Sequence, residues 1–248
     1  MSALVSTIVL KRSKDRKVTP MSDSKGKVAV VANTFGLPAS ISCPGETPYC
    51  GAICYGKKIE RYLPSVGRLL MHNWEALASR TREEMTALLA EMIAEFVDEC
   101  TRKGAELMFR IHWDGDFFSI PYTQAWSDVI GAHPEVQFWT YTRFDKACAL
   151  LASREHENLS LYFSADRDNM SKAISLKRSH MNVHIALLED TFEVAQGKYR
   201  AEFGRPAAMC PENTKQIPLI TSAGGACKSC TLCTKGKTDV LFSVKKGR

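Results

Sequence analysis

Cysteine is the residue type that stands out in this chain of 248 residues, and its spacing is not random. Cys43, Cys50 and Cys54 fall within one short stretch and read C-x6-C-x3-C through Cys43-Pro-Gly-Glu-Thr-Pro-Tyr-Cys50. Cys227, Cys230 and Cys233 follow as C-x2-C-x2-C, with Cys210-Pro211 shortly upstream. Nine cysteines, an odd number, make a poor disulfide framework, and clustered thiols in a reducing compartment point to metal. Three thiolates in a Pro/Gly-bent loop with no fourth nearby suit an iron–sulfur cubane with one iron open or served from elsewhere. The later run begins like a ferredoxin cluster sequence, and Cys210 completes a four-thiolate set there. A zinc site of four cysteines is the rival reading for that second set. Cys100 and Cys148 stand alone within helical patterns and read as packing residues.

Polar groups gather at a few further places. His112-Trp-Asp114-Gly115-Asp116 follows an apolar run, and its two aspartates could hold an amine or a metal, or cap the turn. Arg143 and Arg167 follow two later apolar runs, where they could clamp a carboxylate or phosphate or pair with those aspartates. His112 and His184 lie on expected strands and read as core or hydrogen-bonded histidines. There is no glycine-rich phosphate loop, nucleophile elbow or zinc-protease motif.

The elements that must position these groups alternate in type. Residues 28–32 form a compact apolar run ahead of the first cysteine loop. Thr81 to Lys103 reads as a long helix, capped by Thr81 with Glu84 and closed by Gly104. A strand at 107–112 follows, then a helix at 121–132 opened by Ser119 and Pro121. Strands at 136–142, 159–164 and 182–186 alternate with helices at 145–153 and 169–179. Such alternation predicts an α/β fold with a parallel sheet and right-handed crossovers. Four or five units cannot close an eight-unit barrel, so a partial, open barrel or a doubly wound sheet is expected. In both, polar groups after each strand share the carboxyl-end face.

Composition narrows the function classes. Hydrophobic residues make up 45% and charged residues 24%, the mix of a globular domain. No apolar run is long enough to span a bilayer, and the order of apolar and charged residues at the N-terminus is not that of a secretory signal. A cytoplasmic protein is therefore expected. The net charge of +6 is unevenly placed: residues 1–30 and 228–248 together carry +10, leaving −4 for the body. Basic tails admit nucleic-acid contact, but solvated ends are the simpler reading. Three segments are expected: a basic extension at 1–27, an α/β core at 28–205 holding the first cysteine loop, and a cysteine-rich segment at 206–248 packed on the core.

Taken together, Leu37-Pro38, Cys43-Pro44-Gly45, Cys50, Cys54-Tyr55, His112-x-x-Gly115-Asp116-Phe117-Phe118, Thr140-Tyr-Thr-Arg143, Cys210-Pro211 and Cys227-x-x-Cys230-x-x-Cys233 resemble the phage gene product eighty-eight family. The resemblance runs from about residue 28 to residue 244. It implies a phage origin, hence the host cell cytoplasm, and a [4Fe-4S] cluster, one or two in number, without a settled activity. A more distant similarity is to radical S-adenosylmethionine (SAM) enzymes, which place three cysteines after the first strand of a partial barrel and a glycine-rich acidic motif after the second. This similarity implies a partial, open parallel β/α barrel, with Asp114, Gly115, Asp116 and Arg143 as cofactor-binding candidates for SAM. Those enzymes typically use C-x3-C-x2-C, and this chain does not. The expected function is redox or reductive radical chemistry on an unknown substrate, with an electron donor as partner. The alternative is a non-catalytic module, stabilised by its metal and binding nucleic acid or a host protein.

Overall fold

The structure is a computed structural model, and it describes residues 8–18, 30–222 and 224–245. Residues 28 and 29 of the expected first strand, and most of the basic N-terminal extension, lie outside the described residues.

The region between the first apolar run and the long helix folds into four helices: α1 (Ala39–Ser42), α2 (Pro48–Ile53), α3 (Tyr55–Tyr62) and α4 (Pro64–Leu77). The first cysteine loop is thus partly helical, a correction to the expected open loop. Its cause is local: Thr47 caps α2 by accepting from the Cys50 N–H at 3.0 Å, and Pro48 supplies a preset φ at the first turn. The long helix α5 (Arg82–Lys103) carries the full capping box between Thr81 and Glu84 and ends at Gly104 with φ +60°.

Strand and helix then alternate as β1 (Met108–Ile111), α6 (Ile120–Ala132), β2 (Gln137–Thr142), α7 (Asp145–Ala152), β3 (Leu159–Ala165), α8 (Met170–Ser179) and β4 (Val183–Glu189). The chain continues through α9 (Phe192–Phe203), capped by Thr191, to β5 (Ala208–Met209). A small hairpin of β6 (Ile220–Thr221) and β7 (Gly224–Gly225) leads into α10 (Ala226–Cys230), and β8 (Val240–Ser243) ends the fold.

Six strands make one sheet in the order β1-β2-β3-β4-β8-β5, every pair parallel. The C-terminal segment is therefore more than a cover, since it contributes β5 and β8 to the main sheet. At the other edge, the expected first strand gives no strand of its own at residues 30–32. The chain meets β1 one step later, through Arg110 N–H to the Asn33 carbonyl at 3.0 Å and Phe35 N–H to the Arg110 carbonyl at 3.1 Å. The shift places Thr34 between β1 and Ser13, which bonds its other edge at 2.7 Å.

Side-chain alternation sorts the sheet into two unlike faces. Phe109, Ile111, Phe138, Leu161, Phe163, Val183, Ile185, Leu187 and Leu241 join residues of α4 to α9 in one large buried cluster. Helices therefore cover one face, as right-handed crossovers between neighbouring parallel strands require. A doubly wound sheet, by contrast, has helices of this kind on both faces. Trp126 anchors the cluster, with ring centroids 5.9 Å from Phe35 and 6.3 Å from Phe109, and its loss to alanine should cost about 3–5 kcal/mol. Cys100 and Cys148 are fully buried here, in keeping with packing roles. Of the described N-terminal cations, Arg12 pairs with Glu99 at 2.7 Å and Lys17 with Glu212 at 3.0 Å. No helix among the described residues is long and apolar enough to cross a membrane.

Candidate metal centres

Set one lies at the carboxyl edge of the sheet. Cys43 closes α1, Cys50 sits within α2, and Cys54 joins α2 to α3. Strand ends hold α2 in place. The Thr47 hydroxyl donates to Asp166 Oδ2 at 2.6 Å, and the Tyr49 N–H donates to Asp168 Oδ2 at 2.8 Å. The Tyr49 hydroxyl donates to Asp190 at 2.9 Å while the Arg167 guanidinium lies 4.2 Å from the Tyr49 ring centroid. Arg167 in turn pairs with Glu189 and Asp190, each at 2.7 Å. Thus α2 is tied to the segments after β3 and at the end of β4.

The turn after β1 supports the same set from below. His112 has φ +58°, donating or accepting at Nε2 with the Tyr122 hydroxyl at 2.9 Å. Its ring is held neutral, with a pKa pushed down to about 3 by burial and the nearby Arg110 charge. Gly115 has φ +75°, and a Cβ there would stand 2.6 Å from the Leu37 carbonyl and 2.5 Å from Ser42 Oγ. Only glycine fits both the conformation and the space.

The four cofactor candidates have different states of satisfaction. Asp116 accepts from Thr142 Oγ1 at 2.6 Å and from the N–H groups of Arg143 and Phe117 at 2.7 Å each. The Arg143 guanidinium pairs with Asp166. Both are spent on the frame, the structural pairing expected for Arg143 except that its ionic partner is Asp166. Asp114 accepts one bond, from the Gly115 N–H at 3.0 Å, and its Oδ2 is buried with no partner. Burial, aided by Glu60, pushes the Asp114 carboxyl up to about 7, while burial pushes Asp116 up to about 6 against its hydrogen bonds.

Within set one the thiols influence one another. Burial raises the pKa of Cys43, followed by the charges of Asp116, Cys54, Cys50 and Asp114. Burial also raises that of Cys50, with Arg143 pulling down and Cys54 pushing up. Such thiols keep their protons in the metal-free protein, and a cation must displace them for the set to bind as thiolates.

Set two occupies the sheet face that α4 to α9 leave uncovered, two of its thiols lying in α10. Cys227 packs beside Val18, Met108, Trp139 and Tyr141, and Cys210 and Cys233 pack with Tyr162, Ala186 and Val240. Backbone bonds stitch the set to both chain ends: Cys227 N–H to the Lys17 carbonyl at 2.8 Å, and Cys210 N–H to the Leu241 carbonyl at 2.9 Å. The Tyr162 hydroxyl reaches the Leu232 and Thr238 carbonyls at 3.1 and 2.9 Å. A Cβ at Gly225 would lie 2.1 Å from the Arg16 carbonyl, so the approach of α10 to residues 16–17 demands glycine. Burial raises Cys227 against the pull of Arg110, and pushes Cys233 up to about 12, with Cys210 and Cys230 adding to it. Arg110 stands on this face, 3.1 Å from Asp15 and 5.6 Å from the Tyr141 ring centroid.

The structure therefore gathers Cys43, Cys50 and Cys54 in one place and Cys210, Cys227, Cys230 and Cys233 in another, all seven partly buried and free. Among the described residues, no three His, Cys, Asp or Glu side chains already converge as a ligand set for a single ion. The donor chemistry nonetheless fits a thiolate-bound centre: the partly buried cysteines are the ones that cluster, and the fully buried pair is apart. The sequence places Asp166 at the end of an expected strand but does not show its hold on α2, and it does not mark Asp168 and Asp190 as holders, although Thr47-Pro48 is a readable helix start. It also missed Arg110 and Tyr141 as the floor of set two, which the alternation along β1 and β2 encodes.

Comparisons with known proteins agree along nearly the whole chain. Two relatives are the Gene 88 protein of Mycobacterium phage L5, 48% identical over 242 residues, and that of Mycobacterium phage D29, 46% identical over 243 residues. Each match covers 96% of this chain and 98% of the relative, which supports a bacteriophage origin. No solved structure matches. The profile of the family described as Gene product 88 matches residues 8–236, and the chain belongs to that family.

Proposed function

We propose that this is an iron–sulfur protein in which set one is the working centre and set two a supporting one. In this reading the fold is a partial, open parallel barrel of the radical-SAM kind, and the protein carries out redox or reductive radical chemistry. The observation that carries it is the company of Cys43. Its thiol stands with Cys50 and Cys54 at the carboxyl edge of a one-sided parallel sheet, where Asp114 keeps a buried, unpartnered carboxylate oxygen. The placing of α4 to α9 on one face and the consecutive order of β1 to β4 support the barrel likeness.

Cys43, Cys50 and Cys54 would hold a [4Fe-4S] cluster, which when bound supplies single electrons. Asp114 is the group suited to receive the amino group of a cofactor such as SAM, since Asp116 and Arg143 are committed elsewhere. Asp116 orients the Arg143 backbone, and Arg143 fixes Asp166 under the Thr47 cap, so these residues position α2. His112, held neutral, keeps the turn closed without adding charge.

Set two has its own second reading. Four thiols buried on the sheet and stitched to both chain ends suit a structural zinc site as well as a second cluster. Anaerobic reconstitution with iron and sulfide, followed by metal analysis and electron paramagnetic resonance, tests both. Loading of iron that Cys50→Ser lowers by the content of one cluster, with a spectrum altered by SAM and 5′-deoxyadenosine formed on reduction, is the expected result. Stoichiometric zinc and no iron after reconstitution would overturn the iron reading.

A further inference from the structure

A cleft of about 350 Å³ opens on the flank of set one. Cys43 forms part of its wall, but Cys50, Cys54, Asp114 and Asp116 do not, so it is not the space between the thiols or the place of the Asp114 carboxylate. Its two sides differ in chemistry. Ile41, Pro44, Trp74 and Phe118 make an apolar side, the Trp74 and Phe118 rings meeting edge to face at 5.0 Å. Ile41 remains 47% exposed there. On the other side Lys57 Nζ lies 2.7 Å from Glu46 Oε1 and 2.5 Å from Oε2, and both side chains are 34% exposed.

That ion pair joins the segment before α2 to α3, and it does not exhaust its members. An ammonium offers three N–H donors and a carboxylate about four acceptor sites, so each partner keeps capacity toward the cleft. A ligand with one charge would be attracted by one member and repelled by the other. A ligand with both charges, in the opposite order, satisfies both: its carboxylate meets Lys57 and its ammonium meets Glu46. The apolar side then takes a flat hydrocarbon body against Trp74 and Phe118. The volume is at the small end for ligand sites, enough for one such molecule.

We propose that this cleft binds a zwitterionic aromatic α-amino acid, held against Cys43 as the substrate of set one. Its role as substrate rests on the iron–sulfur reading; its binding does not.

The test uses the full chain under anaerobic conditions, before and after iron–sulfur reconstitution. Calorimetry and saturation-transfer NMR would compare L-phenylalanine and L-tryptophan with 3-phenylpropionate, which lacks the ammonium, and phenethylamine, which lacks the carboxylate. The amino acids should bind, and each truncated analogue should bind about tenfold more weakly or worse. Lys57→Met and Glu46→Gln should each weaken amino-acid binding by about tenfold, with circular dichroism and iron content unchanged. No binding of either amino acid, equal binding of the analogues, or undiminished binding by both variants would overturn the proposal. Amino-acid binding without iron loading would leave the cleft standing and remove the iron–sulfur reading. Iron loading with an empty cleft would do the reverse.

Discussion

The two thiol sets share a residue type and little else. Set one is framed by carboxylates: Asp166, Asp168 and Asp190 hold its helix, and Asp114 and Asp116 lie beneath it. Set two is framed by aromatic rings and one arginine, with Tyr141, Tyr162 and Trp139 as its floor. Set one hangs on side-chain bonds at strand ends, where groups can be exchanged without disturbing the sheet. Set two is laced by backbone bonds into both chain ends and into β8, the strand between β4 and β5. The same thiol chemistry is thus placed once where the fold presents groups and once where the fold closes.

The largest expected effect tests that division. Cys227→Ser combined with Cys233→Ser should destabilise the anaerobically prepared protein by more than about 4 kcal/mol, the scale at which loss of a metal centre is felt. Cys50→Ser should cost less than about 1 kcal/mol while removing the iron of set one. Urea midpoints and metal content of the two variants decide the matter. Equal destabilisation would erase the contrast.

A smaller effect is expected at Asp239, which fastens the tail beside β8. Its carboxylate accepts from the Ile185 N–H at 2.8 Å, from Lys177 at 3.0 Å and from the Tyr199 hydroxyl, with His184 at 3.5 Å. Burial alone would raise its pKa, but these partners outweigh burial and hold it well below the usual carboxylate range. A depressed carboxyl stabilises the fold fully above its unfolded value near 3.8, and that stability is lost as pH falls through the folded value. Asp239→Asn should therefore cost about 2–4 kcal/mol at neutral pH. The deficit should shrink steadily in acid below about pH 4, a trend that urea titrations at several pH values would follow. A deficit independent of pH would mean that Asp239 acts by shape alone.

This division was half legible in the sequence, for physical reasons that differ by residue. Thr81, Glu84 and Gly104 announce α5 because caps act through bonds three or four residues apart. The parallel sheet follows from the alternation of apolar runs, and the grouping of thiols follows from spacing. What sequence pattern does not carry is long-range partnership. Val240 to Ser243 is only a short apolar run, and nothing local tells it to enter the sheet beside β4. The helices around Cys43 to Cys54 were hidden by reading Pro and Gly as loop markers, although Pro48 stands at a helix start. Asp166 and Thr47 are 119 residues apart, and only the stacking of strand ends brings them together.

The sharpest way to refine the account of set one is to set its two aspartates against each other. Asp116 is a framing group, since three donors converge on it. An amide there turns an N–H toward at least one of them, so Asp116→Asn should destabilise by about 1–2 kcal/mol in acid below about pH 4, where the cost of ionising its own raised carboxyl does not enter. Asp114 has no such converging donors, and its response is set by its proton. Its folded carboxyl sits at about 7 against an ordinary 3.8, chiefly through burial. Between those pH values the folded state keeps a proton that the unfolded chain has released, so wild-type stability falls as pH rises from about 4 to about 7 and is flat beyond. Asparagine has no proton to lose, and Asp114→Asn should be more stable than wild type at pH 8 by on the order of 1–2 kcal/mol. The two curves should meet below about pH 4. Thermal melts of metal-free protein across this range make the comparison. A variant less stable at pH 8, or a gap that ignores pH, would show that Asp114 supports the turn as Asp116 does. A crossing in the predicted direction would mean that the chain carries a costly buried carboxylate beside Cys43, and a cost of that kind is what a site kept for binding an amine would leave in the stability curve.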